Sequence, residues 1–365
     1  MSPQLSRRRF FASAAAVMGG GFASALSSSA PGEKNLDSKI GSMLMSHFAG
    51  TMVSPEVGTL VRDACLGGVL LFESNFASAP SPKASLFKLV RDLQNLSPHP
   101  LLIAMDQEGG AVNRLKTSYG FPATCSAQTL GQRDDLQRTR EAASTIATTL
   151  SQVGINHNFA PVVDLYINPD NPVVGRNKRC FSADPERVAA HAAAFIRAHR
   201  ERKIITTLKH FPGHGSSTND SHQGLTNVTR SWSEVELIPY KRLIDADLVD
   251  SIMTAHIVNS HLDDRYPASL SFEIVTKILR RKLGFQGVVI SDDLLMNAIK
   301  SQFSLEESIK LAINAGNDIL LFTTISNNLI PRIHSIIKGQ VQTGDISRER
   351  INESYTRIQN LKRRL

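Results

Sequence analysis

The sequence predicts an α/β fold, a single (β/α)8 barrel, and three observations predict it. Eight short apolar runs rich in β-branched residues recur along the chain, amphipathic stretches of helical period separate them, and no Pro/Gly/Ser-rich linker interrupts the series. Strands that alternate with helices pair in parallel, because parallel neighbours need a crossover between them. Eight repeats in about 280 residues match a closed barrel in count and length. An open doubly wound sheet is the alternative, but no GxGxxG follows the first run, so dinucleotide binding lacks its signature.

In order, the strand runs are 43–47 (MLMSH), 67–72 (GGVLLF), 101–106 (LLIAMD), 155–164 (INHNFAPVVD), 204–210 (IITTLKH), 251–256 (SIMTAH), 287–292 (GVVISD) and 318–322 (DILLF). The amphipathic stretches between them include 85–96, 134–153, 185–202, 233–246, 271–283 and 304–315. The tail, 346–365, reads as a charged amphipathic helix packed on the outside of the barrel.

The N-terminus stands apart. Residues 6–25, SRRRFFASAAAVMGGGFASA, have a basic start and then a small, moderately apolar stretch, with no acidic residue before Glu33. That is the pattern of an export signal, not of a fold element. Arg7, Arg8 and Arg9 before Phe10 and Phe11 resemble the twin-arginine type, and Ala23-Ser24-Ala25 supplies a small-x-small cleavage site. The expected domains are therefore a signal peptide, 1–25, and a barrel, 26–365, that is exported to the periplasm or secreted by the twin-arginine (Tat) machinery. An uncleaved anchor is the other reading, but the stretch is short and glycine-rich for a bilayer. No later segment offers about 18 uninterrupted apolar residues, so no stable membrane insertion is expected after signal removal. No cysteine lies near the cleavage site to carry a lipid.

Of 365 residues, 41 are Lys or Arg and 33 Asp or Glu, a net charge of +8. That excess includes the three N-terminal arginines and is nowhere gathered into a basic run with aromatics, so no nucleic-acid partner is expected. Cys65, Cys125 and Cys180 are far apart and form neither a CxxC nor a disulfide framework.

In a barrel of this kind, chemistry sits at the carboxyl ends of the strands. Asp106 ends the third run, Asp164 the fourth, Lys209 and His210 the fifth, His256 the sixth, and Asp292 with Asp293 the seventh. A single strand-end aspartate often only caps a helix or a turn. Ionisable groups on five of the eight strands point instead to a pocket for something polar.

The densest polar segment is 208–224, LKHFPGHGSSTNDSHQG, in which Pro212, Gly213 and Gly215 prevent a helix from following the strand directly. A long loop over the barrel mouth is expected. His210, His214, Asp220 and His222 invite a zinc reading, but HExxH and the closed Cys/His spacings are absent, and only His47 follows the first strand where a metal hydrolase of this fold has an HxH pair. The other reading is acid/base chemistry, in which Asp220 accepts the Nδ1 proton of His222, fixes its tautomer and raises its pKa. Opposite, GVVISDDLLM places Asp292 at the end of a buried strand, and alternation allows only one of Asp292 and Asp293 into the mouth. A carboxylate there can attack an anomeric carbon while an imidazole protonates the leaving oxygen. Asp293 reads as a cap. Asp106, Arg114, Arg179, Lys209 and His210 are available for sugar hydroxyls.

These residues fall in motifs. LIAMDQEGG, NFAPVVD, KHFPGHG with DSH after a short spacer, MTAH and GFQGVVISDDL, in this order, resemble the β-N-acetylhexosaminidase branch of glycoside hydrolase family 3, from about Ile40 to Leu365. The resemblance implies a (β/α)8 barrel that removes terminal β-linked N-acetylglucosamine with retention and without a cofactor or a metal. It implies Asp292 as nucleophile, His222 as acid/base, Asp220 as its partner, and Asp106, Arg114, Arg179, Lys209 and His210 as sugar-binding residues. It also implies peptidoglycan fragments as the substrate class. The chain departs from the family in its export signal, in Ala111 where Arg is common after DQEGG, and in Cys180 where Ser is common; Cys180 either packs or stands as a thiol near the substrate. Two rivals share the residues: a phosphorylase, since an Asp–His pair lacks the repulsion a carboxylate acid presents to phosphate, and a periplasmic sugar-binding protein, which needs no nucleophile facing a proton donor.

Overall fold

The computed structural model describes residues 35–63, 66–219, 224–323 and 328–365. Eight parallel strands succeed one another: β1 (Leu44–Ser46), β2 (Gly68–Leu70), β3 (Leu102–Met105), β4 (His157–Asn158), β5 (Ile205–Phe211), β6 (Ser251–Thr254), β7 (Val288–Ser291) and β8 (Leu320–Phe322). The sheet runs β7-β6-β5-β4-β3-β2-β1-β8. A parallel bridge between Ile290 and Ile319 joins its two ends, and Ser291 donates its N–H to the Ile319 carbonyl at 2.9 Å. That closure makes a barrel and removes the open doubly wound sheet. Each strand lies within its predicted run, save that β5 continues one residue further, to Phe211.

β4 is much shorter than the run 155–164. Pro161 has no N–H to give the ladder, so the chain leaves it after Ala160, whose carbonyl accepts the Thr207 N–H at 3.1 Å, and returns at Val162, which bridges Lys209. The detour ends with Asp164 at the barrel mouth.

The predicted helices appear as Pro82–Leu96, Leu136–Gln152, Pro185–Arg200, Ile238–Asp245, Glu273–Lys282 and Leu305–Ala315. Their starts follow the capping residues. Asp135 accepts the N–H groups of Gln137 and Arg138, Asp184 that of Glu186, and Ser304 that of Glu307. Two further helices, Pro55–Arg62 after β1 and Leu329–Thr343 after β8, give each of the eight strands a following helix. The tail forms a helix, Arg348–Lys362, capped by Ser347 and lying under the barrel.

Within the interior, β4, β5 and β6 share a polar layer. His157 Nε2 meets Thr207 Oγ1 at 2.7 Å, and Thr207 Oγ1 meets Ser251 Oγ at 2.8 Å. Burial lowers the His157 pKa to about 3, so the ring is a neutral member of the core.

Candidate functional site

A cavity of about 420 Å³ opens at the carboxyl ends of the strands. Asp106, Arg114, Arg179, Lys209, His210 and Asp292 all line it, so the structure gathers residues that the sequence spreads over almost two hundred positions. Phe72, Phe159 and Met253 supply apolar walls. Its size and its mixture of apolar walls with a few polar groups suit a small polar ligand.

The DQEGG segment builds one side. After β3 the chain folds into a tight ribbon in which Gln107–Gly109 pairs antiparallel with Val112–Asn113. The Gln107 side chain pins the return: its Oε1 accepts the N–H groups of Arg114 and Leu115 at 2.9 and 3.1 Å. Gly109 has φ +93°, and a Cβ there would stand 2.3 Å from the Cys125 carbonyl oxygen. Only glycine fits that conformation and that space. The ribbon brings the Arg114 guanidinium back to 3.7 Å from the Asp106 carboxylate and over the Phe72 ring. Ala111, the departure from the usual Arg, sits exposed at the ribbon's tip.

Glu108 is a residue that sequence reasoning missed. It is buried and accepts two bonds from Arg179, Nε at 2.8 Å and Nη2 at 2.7 Å, while Lys209 Nζ lies 2.7 Å from its Oε1. Lys209 also donates to Asp106 Oδ1 at 2.7 Å. Burial alone would raise the Glu108 carboxyl, but the two cations outweigh it and hold the pKa at about 2. The same contact pushes Arg179 further up against its own burial. Both basic side chains are thereby held in place before any ligand arrives. The signal was present: Glu108 lies two residues beyond Asp106, so period-two alternation puts both on one side of the chain.

β4 and β5 build the opposite side. Asp164 is fully buried behind His210. Its Oδ2 meets His210 Nδ1 at 2.7 Å, and its Oδ1 accepts the N–H groups of His210 and His214 at 3.1 and 2.8 Å. Burial opposes its charge, and the His210 ring beside it prevails, keeping its pKa low. Lys209 and His210 both line the cavity, and the peptide joining them is cis. Asn171 ties the loop that carries Arg179 to the loop after β5, donating to the His214 carbonyl at 2.7 Å and accepting from Val173 and Val174. Burial lowers the His214 pKa to about 4. Cys180 is buried against Val162, Val173 and Val174, and burial pushes its thiol well up, so the packing role is the one the structure favours.

At the end of β7, Asp292 is half-buried, with its N–H on the Thr254 carbonyl at 3.1 Å. Asp293 borders the same cavity, but its carboxylate accepts the N–H groups of Leu295 and Thr323 at 3.0 Å each and the Thr323 hydroxyl. It caps a turn, as the sequence implied. His256 does not reach the cavity: its Nε2 meets the Asp293 carbonyl at 2.9 Å and its Nδ1 the Ser269 hydroxyl at 2.7 Å. His256 and Asp164 therefore support the rim from behind instead of forming it. Asp220 and His222 lie outside the described residues. Among the described residues no three His, Cys, Asp or Glu side chains are gathered as a metal site, and no helix is long and apolar enough to cross a membrane.

Known proteins share this fold and much of its sequence. The family described as "Glycosyl hydrolase family 3 N terminal domain" matches residues 35–361. The chain is 34% identical over 345 residues to "Beta-hexosaminidase A" of Pseudoalteromonas piscicida, covering 87% of this chain and 56% of the relative. It is 37% identical over 283 residues to "Beta-hexosaminidase" of Tolumonas auensis, covering 76% of this chain and 81% of the relative. A solved glycoside hydrolase family 3 beta-N-acetylglucosaminidase from Paenibacillus sp. str. FPU-7 superposes with a TM-score of 0.85 at 34% identity, over 91% of this chain and 63% of that one. The chain thus spans little more than half the length of the Pseudoalteromonas relative. With the closed barrel, the polar mouth and a match over nearly all of the described residues in agreement, the chain belongs to glycosyl hydrolase family 3.

Proposed function

We propose that the chain is a β-N-acetylhexosaminidase that releases terminal β-linked N-acetylglucosamine with retention of configuration. One observation carries the reading: Asp292 borders the cavity at the end of β7, in the same wall of space as the pre-oriented Asp106, Arg114, Lys209 and Arg179. A site that only holds a sugar has no need of a nucleophile facing a proton donor. The names of the relatives support the same activity.

In the first step, an Asp292 oxygen attacks the anomeric carbon and forms a glycosyl ester. The bond to the leaving oxygen breaks, and His222 gives that oxygen its proton. In the second, water attacks the same carbon, His222 takes the proton, and Asp292 departs as a carboxylate. Asp220 holds the His222 ring and stabilises its charged form. Asp106, Arg114, Lys209, Arg179 and His210 bind the sugar hydroxyls, and no cofactor enters. The substrate class is N-acetylglucosamine-containing glycan from peptidoglycan. Residues 1–25 direct the barrel, 26–365, through the Tat machinery to the periplasm, which cell fractionation tests; a wholly cytosolic protein defeats the export reading.

The activity is tested with an aryl N-acetyl-β-glucosaminide beside the matching glucoside, with and without phosphate. Release of N-acetylglucosamine from the first alone, indifferent to phosphate, is expected. A sugar 1-phosphate would make the enzyme a phosphorylase, and binding without turnover would make it a sugar-binding protein. His222→Ala is expected to lose about 10²–10³-fold on a poorly activated alkyl leaving group and far less on an activated aryl one. Equal losses on both refute the proton-donor role.

A further inference from the structure

Two glutamates are buried near the barrel mouth, and they keep different company. Glu236 holds the loop after β5: its Oε2 accepts the Gly215 N–H at 3.0 Å, with the Ser216 N–H and hydroxyl beside it. Among the described residues no Lys or Arg forms an ion pair with it, and burial raises its pKa to about 7. Glu108 is buried too, yet Arg179 and Lys209 keep it ionised, at a pKa of about 2. Exchanging such a buried group of ions for apolar side chains is often neutral or stabilising. Stability alone therefore does not account for Glu108.

Its contacts decide what the two cations have left to offer a ligand. A guanidinium carries five N–H groups and an ammonium three. Arg179 turns the fork formed by Nε and Nη2 to Glu108, at 2.8 and 2.7 Å, and its Nη1 to the Val173 carbonyl at 3.2 Å. That fork is the edge with which an arginine grips a carboxylate or a phosphate. Lys209 turns to Asp106 Oδ1 and to Glu108 Oε1, each at 2.7 Å. What remains toward the cavity is single N–H donors, which suit hydroxyl groups. The charge is matched as well. Arg114, Arg179 and Lys209 are set against the carboxylates of Asp106, Glu108 and Asp292, while His210 is paired with Asp164. Asp106 and Asp292 line the cavity, whereas Glu108 stands behind its cations and reaches a ligand only through them.

We infer that Glu108 determines specificity for uncharged ligands: by neutralising Arg179 and Lys209 and occupying the arginine's fork, it makes a cavity that takes sugar hydroxyls and refuses anions. It is a positioning residue, since it acts through the two cations and not by touching the ligand. The inference rests on the reading of the cavity as a sugar site given above. Without the Glu108 charge, the same donors would face the cavity with positive charge in excess and a loosened fork. That combination attracts oxyanions.

Calorimetric titration of the whole chain with inorganic phosphate and with N-acetylglucosamine, at fixed ionic strength, tests this without reference to turnover. The native protein is expected to show no phosphate binding that N-acetylglucosamine displaces. In Glu108→Gln, phosphate is expected to bind about tenfold more tightly or better, in competition with the sugar, while the sugar binds about tenfold more weakly. Opposite movements of the two ligands separate a change of specificity from damage to the site, which weakens both. Phosphate affinity that does not rise, or that falls together with that of the sugar, overturns the inference. Glu108→Asp keeps the charge on a shorter arm and is expected to weaken the sugar with no gain for phosphate. An equal phosphate gain in both variants overturns the role of the charge. If Glu108→Gln does not fold, the native titration and Glu108→Asp carry the test: phosphate that displaces N-acetylglucosamine from the native protein at a dissociation constant below about 1 mM overturns the inference. If the titrations behave as expected and the native protein turns over no N-acetyl-β-glucosaminide, it is the hydrolase reading that fails, and the role of Glu108 stands.

Discussion

Each end of the barrel buries a carboxylate among basic side chains, and the two clusters have opposite outcomes. Beneath β8, Asp318 is fully buried. Its Oδ1 takes Arg350 at 2.9 Å, Arg357 at 3.1 Å and the Ser354 hydroxyl at 2.9 Å, and its Oδ2 takes Arg280 at 2.6 Å and the Val289 N–H at 3.0 Å. Both carboxylate oxygens are fully engaged, and none of the three arginines lines the cavity. Above β3, Glu108 holds Arg179 and Lys209 just as tightly, yet those side chains also face the cavity, where Asp106 and Arg114 join them. The chemistry of the ion pairs is the same at both ends. What differs is where the cations lie: Lys209 and Arg179 line the cavity at the carboxyl ends of the strands, whereas the arginines on Asp318 border none of it, and that placement separates a binding surface from a clamp.

The largest effect that divides the two ends is expected from Asp292→Asn, which removes the nucleophile: kcat on an aryl N-acetyl-β-glucosaminide falls by about 10⁴-fold or more while the melting temperature holds and N-acetylglucosamine still binds. Near-normal turnover would remove Asp292 from the mechanism. Next is Asp318→Asn at the closed end, which strands three arginines and is expected to destabilise by about 3–5 kcal/mol in denaturant titration, with kcat/KM of the folded fraction unchanged. A comparable loss of kcat/KM would mean that the two ends are coupled. Lys209→Met reverses that pattern. Arg179 still pairs with Glu108, so stability falls less than in Asp318→Asn, while kcat/KM is expected to drop by about 10²-fold. The smallest effect concerns pH. The raised pKa of Glu236, about 7, means that the folded protein holds a proton there that the unfolded chain has released. That contribution is complete below the unfolded value, 4.5, and is lost as pH rises through about 7. Glu236→Gln abolishes the dependence and is expected to gain about 2.5 kcal/mol over the native protein at pH 8 relative to pH 5, read as a shift in melting temperature.

The barrel was legible because its signal is repetitive. A strand buried on both faces needs a continuous apolar run, and eight such runs survive small errors at any one. The run 155–164 shows the limit. Its composition fits a strand throughout, and only Pro161, by withholding an N–H, takes the chain out of the ladder. The site was legible where residues end strands, as with Asp106, Lys209, His210 and Asp292, because position in the barrel then assigns them to one mouth. Glu108 and Glu236 were not, since neither touches the cavity's purpose directly; each acts by holding another segment, and such pairings join residues far apart in sequence. His256 was read as part of the rim for the same reason in reverse. Its place at a strand end was clear, but the direction of its ring depended on Ser269 and on the Asp293 carbonyl.

The clamp beneath the barrel also has a consequence for the order in which the molecule is made. Arg350 and Arg357 lie on the final helix, and Arg364, beyond it, reaches the buried Asp250 at the foot of β6 at 2.5 Å. Until that last stretch has left the ribosome, Asp250 and Asp318 lack much of the positive charge that makes their burial tolerable. Strands made before residues 348–364 therefore lack the partners that settle these two carboxylates, and the base of the barrel is completed only once that stretch has docked.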